Sequence, residues 1–117
     1  MNQRHFNLAK KLSFKSDYCH KIGAVVVNKR GKPEGLGFNN PKKTHPLSGN
    51  PFKTLHAELS AILNAGDDCF GCDIYIYREL KSGQPANAKP CKFCLEMIRK
   101  VGIVNIYYTD EGGFKQL

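Results

Sequence analysis

Two helix-forming segments whose starts must meet at one point constrain this chain more than anything else in it. The first is Leu55-His56-Ala57-Glu58-Leu59-Ser60-Ala61-Ile62-Leu63, and the second opens at Pro90-Cys91-Lys92-Phe93-Cys94. A His, two Cys separated by two residues and a carboxylate not needed as a ligand are the parts of a three-ligand zinc site with an open fourth position, the arrangement of catalytic rather than structural zinc. Pro90 locks φ at or just before a helix start, so Cys91 and Cys94 lie on one face of its first turn. Exposed backbone N–H groups there favour thiolate over thiol. His56 and Glu58, two apart, do not face each other on a helix. The ion must therefore sit off the helix end, with His56 in or before the first turn, and the two helices must lie side by side on a sheet.

The remaining segments supply that sheet. Asn2 to Phe14 places Phe6, Leu8, Ala9 and Leu12 at spacings of three and four among basic residues, which predicts an amphipathic helix. Ile22 to Val27 is β-branched and almost continuously apolar, as a strand covered on both faces should be. A turn at Lys29-Arg30-Gly31-Lys32 leads to a second strand over Gly35 to Asn39, with Pro33 suited to an edge or a strand start. Asn40 to Thr54 carries Pro41, Pro46, Gly49 and Pro51 and reads as a long loop, with Thr54 as N-cap of the next helix. Asp73 to Arg78 is a third strand, Ser82 to Lys89 a second loop, Cys91 to Val101 a helix capped by Gly102, and Ile103 to Tyr108 a fourth strand. Strand, helix, strand implies a parallel pair with a right-handed crossover. Phe114 to Leu117 is a fifth strand folding back antiparallel.

At 117 residues the chain is expected to form one domain, 1–117. Neither a signal-peptide core nor a membrane-length apolar run occurs, so a cytoplasmic protein with no membrane partner is expected. Five Cys without a secretion signal favour metal binding over disulfides. The net charge of +8 draws anionic partners, nucleotides or polynucleotides alike.

Cys69 and Cys72 form a second pair whose spacing to Cys91 and Cys94 also suits a structural four-cysteine zinc. Against it, one pair precedes a strand and the other begins a helix, and His56 and Glu58 would have no task. Cys69 and Cys72 are read as loop and core cysteines, and the lone His5, His20 and His45 as packed or surface residues, with His45 best placed to approach the site.

The pairing of His56-Ala57-Glu58 with Pro90-Cys91-Lys92-Phe93-Cys94, supported by Lys21 to Val27, Gly37-Phe38-Asn39 and Gly102-Ile103, resembles the cytidine deaminase superfamily, especially its compact cytidine and deoxycytidylate deaminase-like members. The resemblance implies a three-layer α/β/α fold with a mixed, about five-stranded sheet. It implies zinc on His56, Cys91 and Cys94, with Glu58 as proton shuttle. It further implies that Asn39 hydrogen-bonds the sugar or base and that the Ala57 backbone holds the base edge, with Lys89 and Pro90 beside the substrate. The chain departs from the deoxycytidylate pattern at Ser60 and Lys89, and an antiparallel last strand is similar to the free-nucleoside branch.

The expected activity is hydrolytic deamination of cytosine to uracil in a nucleoside or nucleotide, with release of ammonia. Lys42, Lys43, Lys53, Lys81, Lys89 and Lys92 lie on segments that should rim the pocket and favour a substrate phosphate. A deaminase acting on cytosine or adenine in single-stranded DNA or RNA is the alternative, with Phe38, Phe52 and Phe93 as stacking candidates. A non-enzymatic nucleic-acid-binding module with a four-cysteine zinc comes third. Exposed sheet edges on so small a fold suggest a homo-oligomer.

Overall fold

In the computed structural model, residues 3–15, 21–39 and 56–117 are described. Helix α1 (Gln3–Ser13) is followed by strands β1 (Ile22–Val27) and β2 (Pro33–Phe38), helix α2 (Ala57–Ala65), a short 3₁₀ turn, β3 (Asp73–Arg78), α3 (Lys92–Lys100), β4 (Asn105–Asp110) and β5 (Gly113–Gln116). The strands form one mixed sheet in the order β2-β1-β3-β4-β5. Of the neighbouring pairs only β3 and β4 run parallel, Asp73 opposite Asn105, with α3 as the crossover between them; the other pairs are antiparallel.

The period-two alternation of β1 and β3 builds two cores. Ala24, Val26, Ile74 and Ile76 face Ala57, Ala61, Ile62 and Ile98 of the two later helices. Val25, Val27, Tyr75 and Tyr77 face Phe6, Ala9 and Leu12 of α1. The α/β/α layering follows directly, and it explains why these two central strands carry almost no polar residues. Close approach on each side requires a missing side chain. A Cβ on Gly37 would lie 2.6 Å from the Ala57 carbonyl oxygen, and one on Gly23 would lie 2.6 Å from the Ser13 nitrogen.

The elements fall within two residues of the sequence expectation at most ends. The second strand starts earlier, at Pro33 on the sheet edge, and the fourth runs from Asn105 to Asp110. The α2 helix takes His56 as its N-cap; Thr54 and the rest of the long loop lie outside the described residues. Among the described residues, no helix is long and apolar enough to cross a membrane.

Candidate metal centre

Two helix starts do converge. At α2, the His56 backbone is extended (φ −70°, ψ 149°) and its carbonyl accepts the first helical bond, from Ser60 N at 2.9 Å, while the imidazole takes no capping role. At α3, Cys91 is the N-cap, its carbonyl accepting from Leu95 N at 2.8 Å and its sulfur from Cys94 N at 3.5 Å. Pro90 thus precedes the cap, as its fixed φ suits. Gly102, with φ 90°, follows the C-cap Val101 and closes the far end. The two helices pack side by side on one face of the sheet.

This brings His56, Cys91 and Cys94 together, with one donor atom from each lying within 4.8 Å of the others and His56 Nδ1 3.1 Å from Cys94 Sγ. Tetrahedral zinc with ordinary Zn–S and Zn–N bonds needs donors about 3.5 to 3.8 Å apart, so the group fits that ion with small adjustments. Exposure is graded: Cys94 is buried, His56 half-buried and Cys91 exposed, leaving one side of the group open. Burial first, then the Glu58 carboxylate and Cys91, push the Cys94 thiol far above its ordinary value. Electron-rich groups crowded in this way call for a divalent cation, against which the thiol would ionise outright.

Glu58, in the first turn of α2, is only 5% exposed. Burial raises its pKa, opposed by its own backbone N–H, the nearby His56 and a hydrogen bond with Cys94. A carboxyl held in this state can both take and return a proton.

The other expected site residues are placed as follows. Asn39 is buried at the end of β2, its carboxamide oxygen accepting from Ile22 N at 2.9 Å and its own N–H donating to the Ile22 carbonyl at 3.2 Å. Ala57 opens α2 and is fully buried; Pro90 is buried and Lys89 exposed just before Cys91. Lys81 and Lys92 are exposed, Phe38 is half-buried and Phe93 exposed. Lys42, Lys43, Lys53, Phe52, His20 and His45 lie outside the described residues.

Cys69 and Cys72 do not join the group. Both are buried in the core, their sulfurs directed at the carbonyls of Ile62 (3.8 Å) and Asp68 (2.9 Å). The four-cysteine arrangement therefore has no counterpart among the described residues.

One supporting residue escaped the sequence reading. The hydroxyl of Thr109, fully buried in β4, accepts from Arg78 N at 3.0 Å and reaches the carbonyls of Arg78 and Ala86 at 3.2 and 2.9 Å. Ala88 N donates to the Thr109 carbonyl, and Asn87 Oδ1 accepts from Lys89 N. Thr109 thereby ties down the segment that delivers Pro90 and Cys91. A Thr in a strand carries no sequence signal for this, since β-propensity alone accounts for it.

A His-Cys-Cys group able to hold a metal at two helix starts on an α/β/α sheet, with a buried carboxylic acid beside it, has the parts that metal-assisted hydrolysis uses. The cytidine and deoxycytidylate deaminase zinc-binding region matches residues 1–110. The chain belongs to that family. It is 30% identical over 119 residues to an uncharacterized deaminase in the luxG 3′ region of Aliivibrio fischeri, covering 93% of this chain and 72% of that protein. Among solved structures, the cytidine deaminase of Burkholderia pseudomallei superposes with a TM-score of 0.76 at 19% identity, covering 100% of this chain and 91% of that one. The apo dCMP deaminase of cyanophage S-TIM5 superposes with a TM-score of 0.67 at 26% identity, covering 91% and 79%.

Proposed function

We propose that the chain is a single zinc-dependent deaminase domain that hydrolyses the amino group from cytosine in a free nucleoside or nucleotide, yielding uracil and ammonia. The observation that carries this reading is the convergence of His56, Cys91 and Cys94 with the buried Glu58 alongside. When bound, a zinc ion there supplies a Lewis acid that makes water nucleophilic near neutral pH. Glu58 takes a proton from the attacking water, delivers it to the ring nitrogen of the base and then assists protonation of the departing amine. Ala57, Asn39, Lys89 and Pro90 are the chain's own candidates for holding the base and sugar.

Exposed Lys89 and Lys92 at the start of α3 favour a substrate bearing a phosphate, and dCMP deamination is what the cyanophage relative is named for. The reading includes a cytoplasmic location and self-association, the latter motivated by the open β2 edge and the exposed Phe70 and Val104.

The test is ammonia release from cytidine, deoxycytidine, their monophosphates and a cytosine-containing single strand, with zinc quantified in the same preparation. Turnover of a monomer is expected, and Glu58→Gln should lower it by about 10² to 10⁴-fold while zinc is retained. A zinc-loaded protein inert on every substrate would sink the enzyme reading. Turnover of the strand alone would replace the monomer with a polynucleotide.

A further inference from the structure

At the end of the molecule away from the metal centre, a projecting ring stands beside a groove. Phe70 is 86% exposed, more than any other large apolar side chain among the described residues. It is also held in place. Phe70 (φ −61°, ψ 127°) and Gly71 (φ 77°) have the backbone of a type II turn, closed by Cys72 N donating to the Cys69 carbonyl at 3.0 Å. Gly71 N donates to the Gly102 carbonyl at 2.9 Å and Val104 N to the Cys72 carbonyl at 2.8 Å, so the turn is fastened to the segment that follows α3. One edge of the ring rests on Gly102, where a Cβ would stand 2.5 Å from Phe70 Cδ2. A ring fixed in this way keeps most of its surface in water, and little freedom remains to be lost when a partner covers it.

The groove beside it is about 530 Å³ in volume and reaches Phe70 itself. It is lined by Lys29 and Arg30, from the β1–β2 turn, and by Asp67 and Asp68, from the 3₁₀ turn that leads into Phe70. All four are exposed, and among the described residues none of them forms an ion pair. Only Cys69, whose side chain turns into the core, separates Asp68 from Phe70. The projection is therefore acidic and aromatic, and the groove next to it has a basic part.

We propose that this surface is a two-fold interface between copies of the chain. It rests on the self-association proposed above and gives that association a place. Phe70 of each copy enters the groove of the other and carries its neighbouring Asp67 and Asp68 against Lys29 and Arg30 there, so every attractive contact is made twice about the axis. A second copy is the fitting occupant because the projection and the groove that complements it belong to one chain. Contact limited to one turn and one groove falls at the small end of specific interfaces, so micromolar dissociation is expected. The metal group stays accessible, since Phe70 lies beyond the C-terminus of α3 whereas Cys91 and Cys94 lie at its start, roughly 14 Å away along nine residues.

Sedimentation equilibrium of the zinc-loaded full chain at micromolar concentrations is the test, on variants whose zinc content equals that of wild type. Wild type is expected to self-associate, and Phe70→Asp to raise the dissociation constant at least roughly tenfold. Lys29→Glu/Arg30→Glu and Asp67→Lys/Asp68→Lys should each lose the contact, because each sets like charges opposite one another. An equimolar mixture of the two should regain it, because acid again meets base in both halves of the interface. Recovery in the mixture also shows that both variants fold, and Phe70→Asp, at a solvent-facing position, decides the matter if a reversal does not. Assembly unchanged by Phe70→Asp overturns this surface and leaves self-association to another one, whereas a wild-type chain that is monomeric throughout overturns both. Two folded reversals that fail to recover when mixed overturn the two-fold pairing.

Discussion

Cys91 and Cys94 have the same spacing as Cys69 and Cys72, and the fold gives the two pairs opposite fates. The first pair begins a nine-residue helix, so both sulfurs sit where backbone N–H groups point outward and His56 arrives from the neighbouring helix start. The second starts at the last residue of a 3₁₀ turn and runs toward β3, where both side chains turn into the core and their sulfurs meet backbone carbonyls instead of an imidazole. Spacing brings two sulfurs near each other. A partly open helix start with a third donor gives them the setting that metal ligation needs. The histidines repeat the contrast, since His56 stands at a helix end facing the cysteines while His5 is packed on an aromatic ring.

The contrast breaks most visibly by exchanging the pairs. Cys91→Ser/Cys94→Ser is expected to lose zinc and all deaminase turnover, whereas Cys69→Ser/Cys72→Ser retains zinc with turnover within about twofold and costs about 1–3 kcal/mol of stability for the altered core. Metal analysis and denaturant unfolding of both proteins decide it, and zinc lost from the second variant would return the four-cysteine reading. A smaller effect is expected at Thr109. Thr109→Val leaves the buried Ala86 carbonyl without its partner, costing about 1–3 kcal/mol, and loosens the segment that carries Cys91, so a competing chelator should strip zinc faster. Thr109→Ser should restore both; if it restores neither, the methyl group rather than the hydroxyl matters.

The mildest effect concerns His5. Burial and then the Arg4 charge lower its pKa from 6.5, partly offset by Asp73. The unfolded chain therefore binds this proton more readily than the folded one, so the native state is favoured fully above pH 6.5 and loses that advantage as pH falls below it. His5→Gln should flatten the decline relative to wild type between pH 7 and 5, measured by urea unfolding at each pH. Parallel pH profiles would mean that His5 titrates alike in both states.

Much of this was legible because strong local patterns coincide with the elements. Asp73 to Arg78 is a strand whose alternating Ile and Tyr residues serve two different cores, and Pro90 with Cys91 marks a helix start through a locked φ and a cap. The meeting of His56, Cys91 and Cys94 was legible because its two halves are each short, chemically distinctive motifs. The Asn39 pin on Ile22 and the Thr109 latch were not, since each joins residues distant in the chain through ordinary polar side chains.

By itself, the sequence determined which segments are helix or strand and which three side chains have the chemistry of zinc ligands, because periodicity, caps and donor type are local properties. The tertiary structure alone decided that α1 covers one face and α2 and α3 the other. It also decided which Cys pair meets an imidazole, because that outcome depends on strand order and close packing at Gly23 and Gly37, where distance in the chain no longer measures distance in space.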